Sequence, residues 1–346
     1  MTADPTPSGH FSGALPDGFV PHLTHHVAEI GRTLRSDGDW LEVGFGAATV
    51  RLLAAPDRLD MRFLNAGRVE LYQLRELALY LLDHLWPEAA AGIAWQGFDA
   101  LADVPPNFHT ARLVARDRIG ANFLRVTLAS DGVAALASGA MHFSLLLPPE
   151  GRAPVWPWLD DRGRTKWPEG ADALHRAAYT FVTLDPAGGQ FTFDIYLHDG
   201  SRTSDWALTA PVGALVGLTG PGGGGFPPGD DLLLAGDETA LPAIRRIIES
   251  SDPSRRITAL VETGDPGDRL IADVPDHVAL RWLDRRAGET LDKVLPALSV
   301  AGPGTSRFVW VAAEKEVIRT ARSHFRATAA LTPAEGYFSW YWERPA

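Results

Sequence analysis

The chain has 346 residues, of which 45% are hydrophobic and 22% charged. At roughly 100–200 residues per domain, that is material for two or three soluble domains. No run approaches the ~18–20 apolar residues of a membrane span, and the opening MTADPTPSGH has neither the basic nor the apolar region of a signal peptide. The absence of cysteine excludes disulfides, thiolate metal sites and cysteine-ligated iron–sulfur clusters. A net charge of −11 argues against nucleic acid as the partner.

Residues 1–17 read as a disordered lead, and residues 18–100 as a small α+β module. Within the module, 22–34 read as a helix and 36–39 as a turn. Segments 40–45, 48–54 and 59–63 alternate like strands of a meander. Leu71, Leu74, Leu77, Leu81 and Leu85 recur near helical spacing, predicting a helix over 69–86 that Pro87 stops. A linker over 98–107 follows, marked by Asp103-Val-Pro-Pro-Asn107.

Residues 108–228 carry six strand signals, at 110–116, 123–129, 142–147, 178–185, 190–197 and 214–220. They predict a closed six-stranded antiparallel barrel, interrupted by a long loop over 148–172 that holds Trp156, Trp158 and Trp167. From residue 229 onward strand and helix alternate. Strands are expected at 231–235, 257–262, 278–282 and 307–312, with helices at 242–250, 291–298 and 315–328. This rhythm predicts a doubly wound parallel α/β sheet.

Four local motifs can carry chemistry. In Leu233-Leu-Ala-Gly-Asp-Glu-Thr-Ala-Leu-Pro-Ala243, an apolar strand breaks at Gly236 and a helix starts near Pro242. Asp237, Glu238, Thr239 and Ala240 therefore sit at the carboxyl end of a strand, where open α/β sheets bind ligands; a plain capped turn reads equally well. Gly220-Pro-Gly-Gly-Gly-Gly225 exposes bare backbone but lacks the Gly-Lys-Ser/Thr of a P-loop, and a linker is its simpler reading. Arg176-Ala-Ala-Tyr-Thr-Phe181 sets an aromatic and a hydroxyl on a strand, as a flat ring needs, although both are ordinary strand residues. His198 leads into Thr203-Ser204-Asp-Trp206, which reads as a helix start with free amides for a pyrophosphate, or as a simple cap. His25 and His26 are neighbours that point apart on a helix and read as surface residues. Glu314 follows an apolar strand and either meets a ligand or begins the last helix.

In this order the motifs resemble the siderophore-interacting protein family of ferredoxin-reductase-like flavoproteins, over residues 108–337. Leu234-Ala-Gly-Asp-Glu-Thr-Ala-Leu-Pro-Ala-Ile244 is the most specific piece. Support comes from Trp158-Leu-Asp-Asp-Arg-Gly-Arg164, Tyr179-Thr180, His198, Ser204-Asp-Trp-Ala207, Gly220-Pro-Gly-Gly223, Phe308-Val-Trp-Val-Ala-Ala-Glu314 and Gly336-Tyr337-Phe338. The module over 18–96 resembles one found beside such reductases.

The resemblance implies FAD on the barrel, NAD(P)H on the α/β domain and a ferric siderophore as electron acceptor. It also implies a cytoplasmic reductase whose chemistry belongs to the flavin, with no protein ligand to iron. Expected cofactor-binding residues are Arg176, Tyr179, Thr180, His198, Thr203, Ser204 and Trp206 for the flavin. For the nucleotide they are Gly236, Asp237, Glu238, Thr239, Ala240 and Glu314, with a ribose-reading residue over 262–269. The family's flavin strand reads R-x-Y-T-x-R, but here Ala177 and Val182 stand where its arginines belong. Arg176 is one residue early, a mismatch that a bulge at Ala177-Ala178 would repair. Two alternatives follow: a non-catalytic binding protein with a degenerate flavin site, or a flavin reductase with another acceptor.

Overall fold

The computed structural model describes residues 6–29, 32–45, 47–98, 103–137, 140–161 and 163–344. The chain forms two compact units, one of residues up to Asn107 together with Trp156–Trp167, the other of Phe108–Val155 and Pro168 onward.

The first unit is built on six short antiparallel strands: β1 (Ser8–Ser12), β2 (Arg35–Asp37), β3 (Trp40–Phe45), β4 (Ala48–Ala55), β5 (Arg58–Leu64) and β6 (Ala94–Gln96), ordered β2-β3-β4-β5-β1-β6. Alternation decides which face is covered. Val50 and Leu52 of β4 with Leu59, Met61 and Phe63 of β5 point inward, onto helices α1 (Phe19–Glu29) and α2 (Arg68–Leu85). Glu70 caps α2 by accepting from Gly67 N at 2.9 Å. Pro87 stops α2 as expected and then opens a short helix α3 (Pro87–Gly92), because its missing N–H is harmless at a first helical position.

One expectation needs correction here. Residues 8–12 are not a disordered lead but a strand paired with both β5 and β6. Residues 1–5, and 99–102 of the expected linker, lie outside the described residues.

In the second unit the barrel strands are β7 (Phe108–Arg118), β8 (Phe123–Ala129), β9 (His142–Leu147), β12 (His175–Asp185), β13 (Gln190–Tyr196) and β14 (Leu215–Gly222). They close in the order β12-β13-β8-β7-β14-β9, with helices α4 (Val133–Leu136) and α5 (Arg202–Thr209) as inserts. Phe143, Phe181, Phe191 and Phe193 fill the interior. Between β9 and β12 the chain leaves the barrel, and its Trp-rich stretch forms a hairpin of β10 (Trp158–Leu159) and β11 (Thr165–Lys166) that belongs to the first unit. The long loop expected within 108–228 is there, but its residues 156–167 belong to the first unit and not to the barrel domain.

The loop is held by a polar stripe on α2. The Tyr72 hydroxyl bonds the Thr165 hydroxyl, the buried Arg75 guanidinium donates to the Gly163 carbonyl, and Asp83 accepts from Arg164. These three α2 residues recur at near-helical spacing, so one helix face grips twelve residues of chain that start and end in the barrel sequence.

The rest of the second unit is a parallel sheet of β15 (Asp231–Gly236), β16 (Arg256–Thr263), β17 (Val278–Asp284), β18 (Arg307–Glu314) and β19 (Gly336–Trp342), ordered β17-β16-β15-β18-β19. Helix α6 (Leu241–Glu249) covers one face, and α7 (Leu291–Val294) with α8 (Lys315–Thr328) the other. Barrel and sheet share a core through Phe123 and Met141. Buried polar contacts fix their relation. Asp194 of β13 receives Arg125 at 2.8 Å and Arg245 of α6 at 3.2 Å, and Asp268 accepts from Asn122 N and Nδ2 at 2.7 and 2.8 Å. Among the described residues no helix is long and apolar enough to cross a membrane.

Candidate functional site

The sheet order reverses between β15 and β18, so the crevice beyond their carboxyl ends is where an α/β sheet takes a ligand. Gly236 ends β15 there. A Cβ on it would stand 2.5 Å from Ala240 Cβ and 2.7 Å from the Ala312 carbonyl, so this glycine lets strand, neighbour strand and helix start close up.

Asp237 is wholly enclosed. One carboxylate oxygen accepts from Thr239 N and Oγ1 and the other from Trp342 Nε1 at 2.7 Å, while burial pushes the carboxyl pKa up. Glu238 turns to the opposite side. It takes both Arg285 Nη groups and Gly264 N, while Arg285 Nε donates to Glu262. Burial opposes the Arg285 charge, but the two carboxylates outweigh it and raise the guanidinium pKa. The acid at the expected ribose-reading place, Glu262, is thus engaged by Arg285 and by Leu291 N. Glu314 ends β18 in register with Trp342 and caps α8 by accepting from Glu316 N and Val317 N. Asp237, Thr239, Ala240 and Glu314 gather around the switch point, but Glu238 serves the scaffold.

On the barrel, β12 and β9 pair without interruption from His175↔Leu147 to Thr180↔His142, and the irregularity lies at Phe181/Thr183. The bulge expected at Ala177-Ala178 is absent. Arg176 therefore stays exposed on the face opposite Tyr179.

His175 and Arg202 stand near where the early arginine would be. His175 shares its face with Ala177 and Tyr179, and its Nε2 lies 3.0 Å from Thr203 Oγ1. Burial, then the Arg202 charge, hold its pKa down. The Tyr179 ring packs on Phe193 and Phe143 while its hydroxyl bonds Thr203, and burial pushes its pKa up to about 12. Helix α5 begins at Arg202, with Ser201 as its cap, not at the Thr203-Ser204 pair expected from the sequence. Ser204 is consumed internally: its N donates to Ser201 Oγ and its hydroxyl accepts from His198 N. His198 itself is exposed, and Trp206 packs against the barrel core.

Thr180 faces out of the barrel and meets His142 Nδ1 at 3.1 Å. Burial, then Arg246, hold the His142 pKa down to about 4, so its ring is neutral. His142 Nε2 and Trp310 Nε1 are buried polar atoms without a hydrogen-bond partner, and the buried Tyr341 hydroxyl beside them bonds Tyr337. Their rings adjoin in sequence, His142 to Tyr341 at 6.2 Å and Tyr341 to Trp310 at 6.4 Å. The Gly-rich run closes over them: a Cβ at Gly223 would meet His142 at 2.8 Å, and one at Gly224 would meet Tyr337 at 2.9 Å. Two unpartnered buried polar atoms in one place mark a position for a ligand with a polar edge. A flavin ring system fits such a donor set, with Thr180 beside it. His142, His175, Arg202 and Tyr341 are absent from the sequence expectation. Arg202 alone carried a signal, as a cation in the first turn of a helix.

A six-stranded antiparallel barrel fused to a parallel nucleotide-type sheet, with these groups at their seam, defines a reductase-like flavoprotein architecture. Residues 112–225 match the siderophore-interacting FAD-binding domain, and residues 229–345 match the siderophore-interacting protein family. The chain belongs to the siderophore-interacting protein family and carries that family's FAD-binding domain. The module before residue 112 lies outside both matches.

Among similar proteins, the ferric vibriobactin reductase of Vibrio cholerae is 26% identical over 239 residues, covering 67% of this chain and 88% of its own. The NADPH-dependent ferric-chelate reductase of Escherichia coli is 26% identical over 227 residues, covering 64% and 87%. A siderophore utilization protein from T. fusca superposes with a TM-score of 0.61 at 29% identity, covering 71% of this chain and 97% of that one.

Proposed function

We propose that the chain is a FAD-dependent reductase that takes electrons from NAD(P)H and passes them to a ferric siderophore, releasing iron as Fe(II). One observation carries this reading: His142 and Trp310 bury unpartnered polar atoms beside Thr180, where α6 of the sheet is bonded to the barrel strand through Arg246. When bound, the flavin supplies the exchange between two-electron donor and one-electron acceptor.

The chain's own part is placement. Tyr179 packs on Phe193 and Phe143 with its hydroxyl tied down through Thr203, which fixes the strand that carries Thr180. Thr180 presents a hydroxyl whose direction is set by neutral His142. Arg202 and the start of α5 offer positive charge to a pyrophosphate. Gly236, Thr239 and Ala240 shape the nucleotide edge, and Trp342 keeps the Asp237 carboxyl turned inward. Arg246 holds α6 to the barrel by donating to the Phe181 carbonyl at 2.8 Å, which keeps the two halves in register.

The test is anaerobic turnover of FAD-loaded protein with NADH or NADPH and a ferric siderophore, with a ferrous chelator reporting iron release. Ferrous product that depends on nucleotide, flavin and siderophore supports the reading. Nucleotide oxidation that ignores ferric chelates but proceeds with quinones would assign another acceptor.

A further inference from the structure

The solvent face of the N-terminal sheet carries an arrangement that electron transfer does not use. One cross-strand row runs Glu42↔Arg51↔Arg62↔Ser8↔Gln96 through the pairing of β3, β4, β5, β1 and β6. It sets two arginines directly opposite each other, an arrangement that is destabilising unless something offsets the charge. Arg51 has its counter-ions, Asp37 and Glu42, the latter at 2.7 Å. Arg62 has none among the described residues. Its guanidinium lies over the Trp40 ring at 4.7 Å, and that is its sole polar or ring contact there.

A cation–π contact leaves the hydrogen-bonding capacity of the guanidinium N–H groups unspent. Arg62 is thus a fork held in place with nothing between its tines. Arg62 lines a cavity of about 360 Å³ together with Thr6, Ser8, Arg51 and Leu64. Two hydroxyls, one compensated and one uncompensated arginine, and an apolar wall make a site for an anion with a carbon skeleton.

We propose that this cleft binds a small multiply charged carboxylate, with Arg62 as the bidentate anchor, Thr6 and Ser8 as hydroxyl donors and Leu64 against the carbon chain. A carboxylate fits better than inorganic phosphate because it matches the planar fork and also uses the apolar wall. The site stands independently of the reductase reading, since it shares no residue with the barrel or the parallel sheet.

Citrate titrated calorimetrically into the full-length protein, at constant low ionic strength, tests the proposal. Saturable one-site binding is expected. Arg62→Ala should weaken it at least tenfold and Arg62→Lys less, since lysine keeps the charge but loses the fork. Arg58→Ala, on the same face but paired with Asp60, should leave it unchanged. Circular dichroism establishes that each variant is folded, and Ser8→Ala gives a second, milder probe. The proposal is overturned by non-saturable heats in the wild type, by equal affinity in the Arg62 and Arg58 variants, or by phosphate binding as tightly as citrate.

Discussion

At the end of β15, the carboxylates of the signature turn are spoken for by the chain itself: Asp237 by Thr239 and Trp342, Glu238 by Arg285 and Gly264. Beside Thr180 of β12, by contrast, His142 and Trp310 bury polar atoms that no side chain answers. The more recognisable motif is the more self-contained, and builds the shape of the crevice. The less recognisable surroundings of Thr180 hold the atoms that ask for a ligand. A sequence signature can therefore mark the scaffold of a site more firmly than its points of contact.

The contrast breaks hardest at Arg285. Arg285→Ala leaves Glu238 and Glu262 buried without their cation, and a loss of about 3 kcal/mol in urea unfolding is expected. Gly236→Ala tests the close approach. Its Cβ meets the Ala312 carbonyl, which cannot rotate away, so about 2 kcal/mol of stability and most nucleotide binding should go together, read by thermal unfolding and nucleotide titration. In the first unit, Arg75→Met removes the buried donor to the Gly163 carbonyl. About 1–2 kcal/mol should be lost, with new protease cleavage confined to residues 156–167.

The smallest effect on stability is expected at His142. His142→Phe removes a partnerless Nε2 along with the bond to Thr180, so stability at neutral pH should change by less than about 1 kcal/mol. FAD affinity should nonetheless fall about tenfold, since one oriented hydrogen bond is lost, roughly 1.4 kcal/mol. The pH dependence sharpens the comparison. The folded-state pKa of His142 is depressed to about 4 from 6.5, so between those values the unfolded chain binds the extra proton. The wild type should lose stability as pH falls through that window, and the variant should show a flatter slope there.

Much of this architecture is legible in the sequence. The strands at 40–45, 123–129 and 142–147 and the helix at 315–328 lie where alternation or helical spacing puts them. What escapes has a physical reason in each case. Strand β1 has five residues and a glycine at its second position, where a Cβ would strike Trp95 at 2.7 Å, so only the folded partner explains it. Strand β19 is an aromatic run whose partners, Trp310 and Asp237, are distant in sequence. The α2 stripe that seizes the Trp-rich loop reads in sequence as an ordinary polar helix face, because nothing local says what it holds. His142 is one polar residue at the head of an apolar strand, and its importance comes from Thr180 across the ladder and Tyr341 from the far end of the chain.

The most direct test of the central claim is the visible spectrum of the purified full-length protein loaded with FAD, before and after anaerobic addition of NAD(P)H. A bound flavin at one per chain, bleached by the nucleotide and held about tenfold less tightly by His142→Phe, is the predicted result. A protein that stays colourless with FAD in excess, or a bound flavin that NAD(P)H leaves oxidised, would contradict it.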